Sequence, residues 1–180
     1  MRRFLTTVCL SLLPVAAVVA AKPVYGFIEP MPTAKLKQLF PAAVAFTERG
    51  TVDPLHFTAF DRDPKAPGAK TLGYAFWTID IVPGELGYHG HIHMLVGMNM
   101  VGRISGVIMD LNTEPYGDIS IDLPEFPLQF KGKSIREKFE AGQDIDIVSR
   151  ATISVRAAAR TVRESSRTVA RALLKPSDLR

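Results

Sequence analysis

Across residues 152–174, apolar and small side chains return every three or four positions: Val155, Ala158, Val162, Ser165, Val169 and Leu173. That period predicts a long C-terminal helix buried along one stripe. Arg156, Arg160, Arg163, Arg167 and Arg171 recur on another face. They read as solvated helix surface, with anionic lipid headgroups or an acidic partner as the sharper alternative. Upstream the pattern changes to aromatic and β-branched runs. Residues 71–82, 91–98 and 103–111 predict three strands, and Pro83-Gly84 stops the first of them. Asn99-Met100-Val101-Gly102 has hairpin length, so the strands form a meander. Residues 56–60 alternate as a further strand, whereas 43–47 suit either a strand or a helical turn. Thr33 caps a short helix over 34–40 that ends before Pro41. Ser134 caps another running to Glu140. Residues 112–133 are a polar, Pro-containing stretch. The expected fold is α+β: a central antiparallel meander packed against a long C-terminal helix and short helices.

The first 21 residues follow a different pattern. Arg2 and Arg3 precede a run from Phe4 to Ala21 broken only by Thr6, Thr7, Ser11 and Pro14. This reads as an export signal cleaved after Ala20 or Ala21. The alternative is an uncleaved membrane anchor over 4–21, since about 18 apolar residues can span a bilayer. A periplasmic or otherwise extracytoplasmic location follows in either case. Cys9 is the single cysteine of the chain and lies inside that run. Its removal leaves no disulfide, thiolate ligand or cysteine nucleophile, and excludes Fe–S and Cys-based zinc sites.

The full 180-residue chain is 47% hydrophobic and 22% charged, which supports a packed core rather than disorder. The formal charge of +4 includes the two leader arginines, so export would leave +2. Near-balance of that size, with no nucleic-acid-binding signature, gives no reason to expect nucleic acid as a partner.

The chemistry concentrates where a polar loop enters the last helix: Asp146-Ile147-Val148-Ser149-Arg150-Ala151-Thr152. A hydroxyl there stands next to free backbone N–H groups and the positive end of the helix dipole. Ser149 and Thr152 are equally ordinary N-cap candidates. The segment resembles the attachment motif D-x-x-[ST]-G-A-T of the FMN-binding domain family, with Asp146, Ser149, Ala151 and Thr152 matching. Arg150 stands where the family has Gly. In that family the last Thr is esterified to the phosphate of FMN by a dedicated flavin transferase. The resemblance extends upstream. Gly87-Tyr88-His89-Gly90 with the strand after it, ending at Gly97, is similar to G-Y-x-G-x-[IV]-x-[LM]-[LV]-V-G. Gly102-Arg103-Ile104-Ser105-Gly106-Val107 is similar to G-x-I-x-G-V. Glu114-Pro115 resembles the short acidic segment that follows, and Lys131-Gly132 leads on toward the helix.

The resemblance implies an FMN-binding domain over 71–176, preceded by an extension over 22–70. Relatives of this kind serve Rnf-type and sodium-pumping NADH:quinone oxidoreductases and the membrane regulators of nitrous oxide respiration. It implies an electron carrier or accessory subunit rather than a stand-alone enzyme, with covalent FMN on Thr152 and a membrane-bound redox protein as partner. Ser149, Arg150, Ala151, Asp146, Glu114, Tyr88 and Gly90 are the further cofactor-binding candidates. Tyr88 and Tyr116 would stack on or edge the ring, and Glu114 would hydrogen-bond a ring atom. Ser154 is a second hydroxyl near Thr152. Arg150 either blocks modification by its bulk, at roughly 1 kcal/mol or more if φ is positive, or pairs with the phosphate. Two alternatives stand beside this reading. One is a regulatory or assembly module of the same fold without attached flavin. The other is an exported metal-binding protein using His89, His91 and His93, which would share one side of a strand. No hydrolase or phosphate-loop motif occurs.

Overall fold

The computed structural model describes residues 29–179. The predicted leader, its anchor alternative and Cys9 lie outside the described residues. Five strands form one sheet: β1 (Ala45–Phe46), β2 (Phe57–Phe60), β3 (Thr71–Trp77), β4 (His93–Asn99) and β5 (Ile104–Leu111). Their spatial order is their chain order, and every neighbouring pair is antiparallel. The fold is thus α+β, a meander with helices on both faces. β1 and β2, from the N-terminal portion, continue the same sheet as the three later strands. The undecided stretch at 43–47 resolves as strand, because Ala45 and Phe46 pair with Phe60 and Ala59.

The β4–β5 turn shows how local sequence sets register. Asn99 Oδ1 accepts from the N–H groups of Val101 and Arg103 at 3.1 and 2.9 Å. Gly102 supplies a φ of 73°, which a glycine adopts without steric cost.

β4 is buried on both faces. Met94, Val96 and Met98 join one core cluster with the long helix α4 (Thr152–Leu173). Val155, Val162 and Val169 of α4 are fully buried in it, each contributing about 1.5–3 kcal/mol of transfer free energy. Leu95 faces the other way and packs with Trp77, Phe57 and α1 (Thr33–Leu39). Under α1 the sheet is floored by Gly97 and Gly106, which are cross-strand partners. An added Cβ on either would come within 3.0 Å of Leu39, so glycine lets α1 lie flat on the strands.

Three predicted elements differ from the structure. The strand expected over 71–82 leaves the sheet at Trp77 and becomes a short helix α2 (Thr78–Ile81). Thr78 Oγ1 accepts from Met94 N at 3.1 Å, so a side chain takes over one rung of the ladder. The strand expected from His91 begins at His93. The helix expected over 134–140 is a capped turn instead. Glu137 Oε1 accepts from Ser134 N at 2.7 Å, and Phe139 then turns the chain with a φ of 48°. That turn drives the Phe139 ring into the core, stacked on Phe130 at 5.9 Å. The polar stretch after β5 holds a further short helix, α3 (Glu125–Leu128).

The arginine stripe of α4 is not uniformly solvated. Arg167 donates to the carbonyls of Ile135 and Glu137 at 3.0 and 2.8 Å, and Arg160 pairs with Glu85 at 2.6 Å. These contacts tie the helix to loops on either side. No helix among the described residues is long and apolar enough to cross a membrane.

Candidate functional site

Helix α4 begins without a side-chain cap: Ala151 occupies the N-cap position and Thr152 the first helical position. Neither Ser149 nor Thr152 acts as a cap. The N–H groups of the first turn therefore have no intrahelical acceptor. The first turn carries no acidic residue. The chain reaches this point through Arg150, whose φ is 75°. The family's glycine position is thus a left-handed turn, occupied here by arginine at a cost of about 1 kcal/mol.

A cavity of about 330 Å³ opens beside this helix start. It is lined by Tyr88, Pro115, Tyr116, Arg150, Thr152, Ile153 and Ser154. Three segments far apart in the chain converge on it: the 87–90 loop, the loop after β5, and the head of α4. Tyr88, Tyr116 and Ile153 remain 63%, 45% and 56% exposed, so large apolar faces stand open around the opening. That combination of apolar walls with a few polar groups is how small-molecule sites are built, and the volume falls in their usual range. Arg150 is the one charged residue in the lining.

Glu114 holds the site together from beneath. It is 8% exposed. Its carboxylate accepts from Tyr88 N and His89 N, each at 2.9 Å, and from the Ser154 hydroxyl. Asn112 Oδ1 in turn accepts from Glu114 N at 3.0 Å. Gly87 makes room for this carboxylate: an added Cβ there would stand 2.8 Å from Glu114 Cδ. Glu114 is therefore not the solvated loop acid that was one of its two readings from sequence. Its oxygens face protein donors and bind the 87–90 loop to α4.

The other sequence candidates separate cleanly. Thr152, Arg150 and Tyr88 line the cavity, as do Tyr116 and Ser154. The Ser154 hydroxyl is 2% exposed and committed to Glu114, whereas the Thr152 hydroxyl makes no hydrogen bond among the described residues. Ala151 is buried below, its carbonyl accepting from Val155 N at 2.9 Å. Gly90 closes its loop by accepting from Gly87 N at 2.7 Å. Ser149 and Asp146 are exposed and outside the lining, and Asp146 N donates to Gln129 Oε1 at 2.7 Å. Sequence reasoning missed Ile153 and Pro115 as wall residues. Ile153 was detectable as an apolar residue that falls off the buried stripe of α4.

The three histidines do not share a strand face. Only His93 belongs to β4, and it is buried under the α1 side with Nε2 unpartnered. Burial pushes its pKa down, His91 adds to that, and Asp110 and Asp80 oppose it. His89 and His91 precede the strand. Among the described residues no group of three or more His, Cys, Asp or Glu side chains is gathered as a metal site.

Residues 87–166 match the model of a protein family described as FMN-binding domain. All seven residues lining the cavity fall inside that match. No curated protein matches the chain.

Proposed function

Residues 87–166 belong to the FMN-binding domain family, and from this premise we propose that the chain is an exported electron carrier holding FMN at the head of α4. In this reading the flavin is esterified to Thr152 and exchanges electrons with a membrane-bound redox protein. The observation that carries the reading is a threonine at an uncapped helix start, lining a cavity with aromatic walls, whose hydroxyl has no hydrogen-bond partner among the described residues.

The residues present fit the group. The first-turn N–H groups of α4 are donors for an anionic phosphate. Tyr88, Tyr116 and Ile153 offer flat and apolar surface to a fused ring. The ring supplies one- or two-electron chemistry, and the protein supplies binding, orientation and field. In this reading Thr152, a lining residue, offers its Oγ1 for attachment. Glu114 keeps Tyr88 against α4. Attachment would need a flavin donor activated as a phosphoanhydride: the Thr152 Oγ1–P bond would form as the anhydride P–O bond breaks, the other phosphoryl group would depart with the hydroxyl proton passed to a base or solvent, and the protein would gain FMN less one water. A flavin transferase would be the modifying enzyme.

One observation favours a second reading, in which the same fold serves as an unmodified regulatory or assembly module. Arg150 adds bulk at the left-handed turn beside Thr152, where a transferase must approach.

Intact mass of the protein purified from its exporting host separates the two. An adduct of FMN less one water, missing in Thr152→Ala, is the expected result. An unmodified mass from a host with active transferase would refute covalent flavin.

A further inference from the structure

The arginine that departs from the family's motif has no role in holding the fold. Arg150 is exposed, and its guanidinium makes no hydrogen bond or ion pair among the described residues. Its Cβ sits at a φ of 75°, where glycine would be less strained. It nevertheless lines the cavity, and it brings the only charge to that lining. Around it stand the Thr152 hydroxyl, the aromatic faces of Tyr88 and Tyr116, and the apolar Ile153. The Glu114 carboxylate is not in the lining and accepts from three protein donors. A cavity lined by a single cation together with aromatic and apolar side chains is matched to a ligand that carries both a phosphate and a ring.

We propose that Arg150 is a specificity-determining residue that recognises the phosphate of the flavin before any bond to Thr152 exists. It makes the cavity select flavin mononucleotide over the unphosphorylated riboflavin. Arginine suits this task, because its planar fork gives charge-assisted, bidentate hydrogen bonds to phosphate oxygens. The inference rests on the flavin reading of the site, but not on covalent attachment.

The test uses the full chain made in a host without flavin transferase, so that the Thr152 hydroxyl is free. FMN and riboflavin are titrated separately, and flavin fluorescence reports binding. The wild type is expected to bind FMN about tenfold more tightly than riboflavin, a difference typical of one charge-assisted contact. Added salt should weaken FMN alone. Arg150→Gly should bring FMN down to the riboflavin level and leave riboflavin binding and the melting temperature at or above wild type. Arg150→Lys should retain part of the discrimination. Equal affinities in the wild type, or an Arg150→Gly variant that still prefers FMN, would overturn the assignment. Binding of neither flavin would sink the cavity assignment as well. FMN binding that depends on Arg150, in a protein whose native mass shows no adduct, would uphold this inference and refute only the ester.

Discussion

Removing the Glu114 carboxylate is the sharpest test of how the site is assembled. It accepts three hydrogen bonds from two segments, Tyr88 N and His89 N on one side and the Ser154 hydroxyl on the other. Glu114→Ala strands all three donors. A buried donor left without a partner costs about 1–3 kcal/mol, and less where water can reach it. Ser154 is buried, but the 88–89 backbone lies near the surface and can rehydrate in part. The expected total is therefore about 3 kcal/mol, a large share of the roughly 5–15 kcal/mol of a typical domain. For a chain of this size the melting temperature should fall by roughly 10 °C. Glu114→Gln keeps one acceptor and places an NH₂ group against a donor, so its cost should be intermediate, about 1–2 kcal/mol. Amide exchange provides the local readout. The Tyr88 and His89 amides should lose protection in both variants, while those of β4 keep theirs. Gly87→Ala should act in the same direction, since its Cβ would press on the carboxylate. If Glu114→Ala unfolds within about 0.5 kcal/mol of wild type and the Tyr88 and His89 amides stay protected, the clamp does not exist as described.

Two further outcomes concern pH, and one concerns packing. For Asp144, burial acts upward, but the N–H groups of Glu140 and Phe139 and the Lys133 ammonium outweigh it and hold the carboxyl below its usual range. A depressed acid stabilises above its unfolded value and loses that contribution as pH falls through the folded one. Asp144→Asn should therefore be less stable than wild type at neutral pH, with the gap closing below about pH 4 in urea titrations. His93 has a pKa lowered mainly by burial, so the fold holds it neutral. Its contribution is intact above about 6.5 and declines as pH drops below that, and His93→Leu should flatten this slope. Gly73→Ala should destabilise by more than about 2 kcal/mol, because its Cβ would meet the Met98 carbonyl and, at 2.7 Å, the Phe40 ring. Thermal unfolding that leaves Gly73→Ala at the wild-type midpoint would contradict the packing of α1 on the sheet.

The long helix, the meander and the hairpin at Asn99 were legible because each depends on neighbours within a few residues. Period 3.6 in α4 and the Asn99–Gly102 turn are local facts. The helix expected at 134–140 failed for a reason a local pattern does not contain. Phe139 is recruited by Phe130 in the core, and Asp144 captures the two N–H groups that a helix would have used internally. The end of β3 failed similarly, because Thr78 replaces a main-chain rung with its side chain.

What the amino-acid order determined alone is the position of a hydroxyl at a helix start and the aromatic residues available in the loops. Folding decided which of these meet. Tyr88, Glu114 and Ser154 are 26 and 40 residues apart along the chain, counted from Glu114. No periodicity links them, and only the close approach of a loop to α4 turns an apparently solvated acid into a buried clamp. Folding also separated two hydroxyls that look alike in sequence, burying Ser154 against Glu114 and leaving Thr152 without a hydrogen-bond partner among the described residues. The physical reason is that local preference acts through each residue's own backbone, whereas a site is a property of burial, which the whole core sets at once.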